Sequence, residues 1–274
     1  MRDILVPMTA VLPLQPHVEY AARLAKAMSG SLTGLYALQP FLDGPELNTP
    51  SAIGTAVAYL LEQRRAAAEG EVPFLAWARS HGVGTARWSV ITGPYSASIA
   101  RAAAWHDCVV VRATTDSDAG SLHALGEVLL TCGIPCIVVP DAAATAPVPR
   151  CVAVAWNGSA ESVRVLRAAM PLLLQAQEVV ILASAHPVQS QPPVWDDTFD
   201  LVRYLADAGC RARRHDVLVD SEHAGPQLLR ESARCGAQML VMGAYGRSRF
   251  SEWVLGGATR HVLANSPVPV LFRH

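Results

Sequence analysis

Lysine is almost absent from this chain. Lys26 is the only lysine in the 274 residues, so nearly all of the positive charge is carried by arginine. A Walker A phosphate loop needs a lysine directly after a run of glycines, and Lys26 follows no such run. The net charge of −1 also creates no bulk field that would attract nucleic acid or an anionic membrane. We therefore exclude a P-loop nucleotide hydrolase and predict no nucleic-acid partner.

Paired cysteines are missing as well. The chain has six cysteines, and none of them forms a C-x2-C pair. Because several lie in apolar runs, we predict buried, reduced thiols of a cytosolic protein and neither a metal site nor a disulfide framework. The six are Cys108, Cys132, Cys136, Cys151, Cys210 and Cys235.

Targeting and membrane-spanning segments are also lacking. Residues 1–7 enter a short apolar strand at once, which is unlike a signal peptide. The longest apolar stretch, 170–185, is interrupted by Gln175, Gln177 and Glu178, so it is typical of a helix, a turn and a strand. The sequence thus predicts a cytoplasmic protein without membrane insertion.

Familiar catalytic motifs do not occur. The nine histidines are scattered without an H-E-x-x-H pattern, and neither a G-x-S-x-G elbow nor a G-x-G-x-x-G after the first strand is present. Asp116 and Asp118 form an acidic pair, but two carboxylates on a loop are usually solvated turn residues. We predict no catalytic residues and no metal site.

What the chain does contain is an internal repeat of strands alternating with helices. Residues 140–150 are rich in proline and alanine and are typical of a linker between the two copies. Alternating strands and helices favour an α/β fold with parallel sheets and helices on both faces. We predict two domains, 1–140 and 151–274. The strands are expected at 4–8, 31–38, 86–91, 108–112, 136–139, 152–156, 179–183, 215–219, 239–242 and 268–272, and the helices at 16–28, 52–80, 96–106, 122–131, 162–174, 198–208, 226–235 and 258–265.

A glycine-bearing loop lies between the strand 239–242 and the helix 258–265. It contains Gly243, Gly246, Gly256 and Gly257. A strand, a loop and a helix in this order place free backbone N–H groups and a positive helix end around an anion. Glycines allow the backbone to turn sharply and a phosphate to come close. This loop therefore predicts phosphate binding.

The spacing Gly243-x2-Gly246-x9-Gly256 resembles the nucleotide loop of the universal stress protein family, written G-x2-G-x9-G-[S/T]. The resemblance extends over essentially the whole chain as a tandem, two-domain member, and it is strongest in the second copy. It implies two open, twisted, mostly parallel five-stranded sheets of Rossmann-like order 3-2-1-4-5. It also implies that the fifth strands of the two copies pair antiparallel, so that the chain packs as a pseudo-dimer.

The same resemblance implies a ligand. It predicts ATP, or the related AMP or ADP, together with Mg²⁺, in the second copy, where ligands of open α/β sheets bind beyond the carboxyl ends of strands 1 and 4. The expected binding residues are Asn157, Gly243, Gly246, Arg247, Gly256, Gly257, Ala258 and Thr259.

Two positions depart from the family pattern. Gly257 stands where the family has serine or threonine, and Thr259, Ser248 or Ser251 is left to supply the missing hydroxyl. Asn157 stands where the family usually has an acidic residue; its amide can still donate and accept hydrogen bonds. Asn157 or Ser159 is also expected to cap the helix that follows.

The first copy lacks the glycine loop. Its corresponding segment, 112–120, carries Asp116 and Asp118, which would repel phosphate, and Arg112 occupies the position of Gly243. We predict that this copy holds no standard nucleotide site.

Three functions follow from these observations. The first is a cytoplasmic stress-response or regulatory protein that binds an adenine nucleotide in its second half and acts on a protein partner that the sequence does not identify, with a further homodimer left open. The second is a nucleotide-free protein-interaction module. The third is a slow ATP hydrolase, for which the sequence offers no evident general base.

Overall fold

A computed structural model of the chain describes residues 1–9, 14–39, 49–113, 119–143, 148–184, 200–217, 223–244 and 257–274. It contains two compact units. The first comprises Met1–Val111 and Leu130–Ile134, and the second comprises Arg112–Leu129 and Pro135–His274.

The first unit is built on a parallel sheet of order β3-β2-β1-β4. Its strands are β1 (Asp3–Met8), β2 (Ser31–Leu38), β3 (Thr85–Thr92) and β4 (Cys108–Arg112). Its helices are α1 (Pro16–Ala27), α2 (Pro50–Glu69), α3 (Glu71–Ser80) and α4 (Tyr95–Ala103). The sheet order and the helical connections agree with the α/β fold that the sequence predicts.

The prediction of one helix in this unit is wrong in detail. The sequence predicts a single helix over 52–80, and the structure has two helices, α2 and α3, that break at Gly70. Pro73 lies in the first turn of α3 and has no N–H to donate to the carbonyl of Glu69. The hydrogen-bond ladder of α2 therefore cannot continue through this point.

The second unit is built on a sheet of order β5-β10-β9-β6-β7-β8. The five strands of the second copy run parallel, in the predicted order 3-2-1-4-5. The strands are β5 (Cys136–Val139), β6 (Cys151–Trp156), β7 (Glu178–Ser184), β8 (Ala212–Val217), β9 (Met239–Gly243) and β10 (Val270–Arg273). The helices that follow β4 along the chain are α5 (Ala119–Thr131), α6 (Ala160–Leu173), α7 (Leu201–Asp207), α8 (Ala224–Arg234) and α9 (Gly257–Asn265).

The fifth strands of the two copies pair antiparallel, as predicted. Val270 of β10 lies opposite Val138 of β5, and Phe272 lies opposite Cys136. By its place in the repeat β5 belongs to the first copy, yet it lies in the second compact unit. The boundaries 1–140 and 151–274 and the pseudo-dimer packing stay predictions.

The hydrogen-bond register confirms the internal repeat. In the first copy Ile4 of β1 lies opposite Cys108 of β4, and in the second copy Val152 of β6 lies opposite Met239 of β9. Counting four residues on from Cys108 and from Met239 leads to Arg112 and Gly243. These two residues therefore occupy equivalent strand ends.

The central strands are buried on both faces, which explains their unbroken apolar runs. Ile4, Leu5 and Val6 of β1 are fully buried, and so are Leu240 and Val241 of β9. Within the described ranges, no helix combines the length and the apolar composition that crossing a bilayer requires.

Candidate functional site

The carboxyl ends of β6 and β9 lie side by side in the second unit. These strands are the first and fourth of their copy along the chain, but they are neighbours in the sheet. Chain connections leave such a pair toward opposite faces, which opens the crevice in which ligands of open α/β sheets bind. The structure places Asn157 directly after β6 and Gly243 at the end of β9, as the predicted topology requires.

A tight turn joins β6 to α6. Gly158 has a φ of 73°, a conformation that favours glycine, and the Oδ1 of Asn157 accepts a hydrogen bond from the N–H of Ser159 at 3.0 Å. The Oγ of Ser159 accepts the N–H of Ser162 at 3.3 Å, so Ser159 is the N-cap of α6. Asn157 is exposed, and its side-chain N–H groups have no partner among the described residues.

Gly243 brings the end of β9 against the first turn of α6. A Cβ at this position would lie 2.8 Å from the Cβ of Glu161, 2.9 Å from the carbonyl carbon of Glu161 and 3.1 Å from the backbone nitrogen of Ser162. Two of these three neighbours are backbone atoms, which cannot move aside cheaply. Only glycine therefore allows this close approach.

Glu161 lies at this contact, and sequence reasoning missed it. Its side chain is 18% exposed, and its Oε2 is buried without a hydrogen-bond partner among the described residues. Burial raises the pKa of this carboxyl. The hydrogen bonds from its own N–H and from Ser159, and the charges of Arg164 and His274, outweigh that effect, so the pKa lies below its usual value. An ionised oxygen here can accept a hydrogen bond from a hydroxyl group.

His274, which directly follows β10, lies near Glu161. Its Nδ1 lies 3.3 Å from the carbonyl oxygen of Ala244, the residue after β9. Only the pairing of β10 with β9 brings this residue near Glu161, so the sequence pattern carries no signal for it.

The first turn of α9 carries the next predicted residues. Gly257 is exposed, and an added Cβ there would meet nothing within 4 Å. The N–H groups of a first helical turn have no acceptor within the helix and are free for an anion. Thr259 is buried (4% exposed), whereas Gly257 is exposed and offers only backbone groups.

His261, one turn further along α9, packs against α8. A Cβ at Gly225 would lie 2.7 Å from the Cβ of His261 and 3.2 Å from the carbonyl oxygen of Ala258. The contact with Gly225 makes His261 a packing residue between α9 and α8.

The predicted site is therefore described in part. Asn157, Gly243, Gly257, Ala258 and Thr259 lie within the described residues, whereas Gly246, Arg247 and Gly256 lie outside them, as do Ser248 and Ser251. The structure brings Asn157 and Gly243 to the neighbouring ends of β6 and β9, beside the first turn of α6. The ligand contacts of all eight predicted residues stay predictions.

The equivalent strand end in the first copy is occupied by an ion pair. The Nε of Arg112 donates to the Oδ1 of Asp141 at 2.8 Å, and its second guanidinium nitrogen donates to Oδ2 at 2.5 Å. The hydrogen bond and the charge of Asp141 raise the pKa of Arg112. Asp116 and Asp118 lie outside the described residues.

Metal-ligating groups are not clustered in the part of the chain that the structure describes. No three histidine, cysteine, aspartate or glutamate side chains come together there in a way that could hold a metal ion.

Comparison with known proteins gives one family match. Residues 150–273 match the model of the universal stress protein family. The crystal structure of a universal stress protein from Archaeoglobus fulgidus DSM 4304 is 17% identical and covers 99% of this chain and 96% of that chain, with a TM-score of 0.67. A functionally unknown protein from Pseudomonas aeruginosa PAO1 is 14% identical and covers 100% of this chain and 92% of that chain, with a TM-score of 0.57. At these identities the two structures establish the fold. No curated protein matches the chain.

Proposed function

Because residues 150–273 form a universal stress protein domain, we propose that the chain binds ATP, or the related AMP or ADP, in its second half and acts in the response to stress. The family and the fold support the stress-response role. The observation that carries the nucleotide proposal is that the carboxyl ends of β6 and β9 lie side by side, where the Asn157 turn and Gly243 meet the first turn of α6.

The residues at this crevice offer the groups that a nucleotide needs. The free side-chain N–H groups of Asn157 can donate to the ribose or the base. The phosphates, with Mg²⁺ as their counter-ion, would be held by the loop that begins at Gly243. The remaining predicted contacts are Gly246, Arg247, Gly256, Gly257, Ala258 and Thr259.

A second candidate, a nucleotide-free protein-interaction module, is favoured by one observation. The family loop has a hydroxyl where Gly257 stands, and the nearby Thr259 is buried in this structure. If no other hydroxyl takes this role, the phosphates lose one hydrogen bond, worth about 1 kcal/mol. Direct binding measurements separate the two candidates.

The deciding experiment is calorimetric titration of the full chain with ATP and Mg²⁺. We expect Gly246→Val to abolish binding, because a branched side chain at a turn glycine blocks close approach of an anion. The matched control is Thr115→Val, at the corresponding position of the first copy, which is expected to bind as the parent does. Parent-like binding by Gly246→Val would show that the loop is not the phosphate site, and absence of binding by the parent would favour the interaction module.

A further inference from the structure

Two of the six cysteines are not buried, contrary to the sequence prediction. Cys151 and Cys235 are partly exposed, whereas the other four are buried: Cys108, Cys132, Cys136 and Cys210. The two partly exposed cysteines are also in contact, because the Sγ of Cys151 donates to the carbonyl oxygen of Cys235 at 3.5 Å. From standard bond lengths, this sulfur lies within about 6 Å of the Cα of Cys235.

Backbone hydrogen bonds hold the two cysteines together. Cys151 opens β6, and Cys235 is the C-cap of α8. The chain turns after α8 through Gly236, whose φ is 67°, and the N–H of Gln238 then donates to the carbonyl of Cys151 at 2.9 Å. The side chain of Gln238 accepts the N–H of Arg150 at 2.7 Å. These hydrogen bonds between β6 and the turn after α8 therefore keep the two cysteines in contact.

The two sulfur atoms have neighbours of opposite charge. The Sγ of Cys151 lies 3.9 Å from the Oε2 of Glu178, and burial followed by the charge of this carboxylate raises the pKa of Cys151. The positive charge near Cys235 comes from Arg213. The hydrogen bond with Glu178 is the main cause of the raised pKa of Arg213, and the proximity of Cys235 is a lesser cause.

The charged pair beside the cysteines faces an open cavity. The Nε of Arg213 donates to Glu178 at 2.5 Å, and both line a cavity of about 320 Å³ together with Gln177, Arg211 and Ala212. A small oxidant can reach this side of the sheet through solvent. The thiolate is the reactive form of cysteine.

We propose that Cys151 and Cys235 are a redox-active pair that forms a reversible disulfide on reaction with hydrogen peroxide. The thiolate of Cys235 attacks the O–O bond, a sulfur–oxygen bond forms, and the leaving oxygen departs as water after protonation. The sulfur of Cys151 then attacks the sulfenic acid on Cys235; the S–S bond forms, the S–O bond breaks and a second water leaves. The two thiols lose two electrons and two protons, and the peroxide is reduced.

This proposal is independent of the proposed function. Cys151 opens β6 and Cys235 lies four residues before β9, so both are at the opposite ends of these strands from Asn157 and Gly243. A chain that binds no nucleotide can still carry the redox pair.

The test treats the full-length native chain with hydrogen peroxide, blocks the remaining thiols and maps tryptic peptides without reduction. We expect a linked pair of peptides, 151–164 and 235–247, that is lighter than the sum of the two by two hydrogen atoms and that separates on treatment with a dithiol. In Cys151→Ser, the sulfenic acid on Cys235 should persist and be trapped by dimedone. In Cys235→Ser, Cys151 should stay a free thiol.

Two further variants sharpen this test. Arg213→Gln should slow sulfenic acid formation at least several-fold, because the guanidinium beside Cys235 can donate a hydrogen bond to the peroxide oxygen that leaves. Cys210→Ser removes a buried cysteine of the same unit and should form the linked peptides as the parent does, with circular dichroism confirming that each variant is folded. The proposal is overturned if the linked peptides form only after denaturation, or if dimedone labels the buried Cys210 as readily as Cys235.

Discussion

At Gly243 the end of β9 meets the first turn of α6, and an added Cβ would lie 2.8 Å from the Cβ of Glu161. Gly243→Ala should therefore destabilise the protein by about 1–3 kcal/mol, the usual cost of overpacking. Urea denaturation measures this change. Gly257→Ala is the matched control, because its Cβ meets nothing within 4 Å, and its stability should stay near that of the parent. Equal stabilities for the two variants would contradict the close contact at Gly243.

Glu161 makes the stability of the protein depend on pH at acidic values. Its pKa is lower in the folded protein than in the unfolded chain, so the ionised form stabilises the fold. This contribution is complete above the ordinary carboxyl pKa of about 4.3 and is lost as the pH falls through the lower, folded value. Glu161→Gln should thus be less stable than the parent at neutral pH, and the difference should shrink on acidification.

Denaturation of both proteins across this pH range measures the effect of Glu161. Glu62→Gln, an exposed change on α2, is the control and should follow the parent at every pH. A difference between Glu161→Gln and the parent that stays constant down to the lowest pH would show that the charge of Glu161 is not responsible.

Two of the four residues described at these strand ends were predictable from the sequence. Asn157 and Gly243 follow apolar strands directly, and the fold rule for parallel sheets places such strand ends together. Glu161 and His274 were not predictable, because their proximity depends on how closely β9 approaches α6 and β10. The same holds for Cys151 and Cys235, which are 84 positions apart and meet only through the pairing around β6.

Among the elements, those with strong apolar runs were predicted best. β1, β2, β4, β5 and β9 lie where the sequence places them, within a residue or so, because central strands are buried on both faces. β8 was predicted at 215–219, whereas the structure places it at Ala212–Val217, so that it includes Arg213 and Arg214. It is the last strand in the order of the second unit, and charged side chains are typical of such an edge.

The strand β10 provides a test of the antiparallel pairing. Val270 is 1% exposed and lies between Val138 of β5 and Leu240 of β9. Val270→Asp would bury a carboxylate without a partner and should destabilise the second unit by on the order of 4 kcal/mol. Thermal unfolding measures the loss. Val72→Asp, at a valine that is 76% exposed, is the control, and a Val270→Asp variant that melts with it would contradict the buried pairing.

For the whole molecule, the repeat is symmetric in its strands and asymmetric at its candidate sites. The equivalent strand ends carry Gly243 in the second copy and Arg112 in the first. Arg112 is fixed in a two-bond pair with Asp141, so its charge is already neutralised where a phosphate would have to approach. The sequence revealed the exchange of glycine for arginine, but Asp141 as its partner became visible only in the structure.

This asymmetry predicts one nucleotide per chain. Calorimetric titration of the full chain with ATP should give a single site, because only the second copy combines the glycine loop with an open helix start at Gly257. Arg112→Ala frees the strand end of the first copy without supplying glycines, so both the stoichiometry and the affinity should stay at the parent values. Two equivalent sites in the parent, or a lost site in Arg112→Ala, would place nucleotide binding in the first copy as well and contradict the assignment to the second.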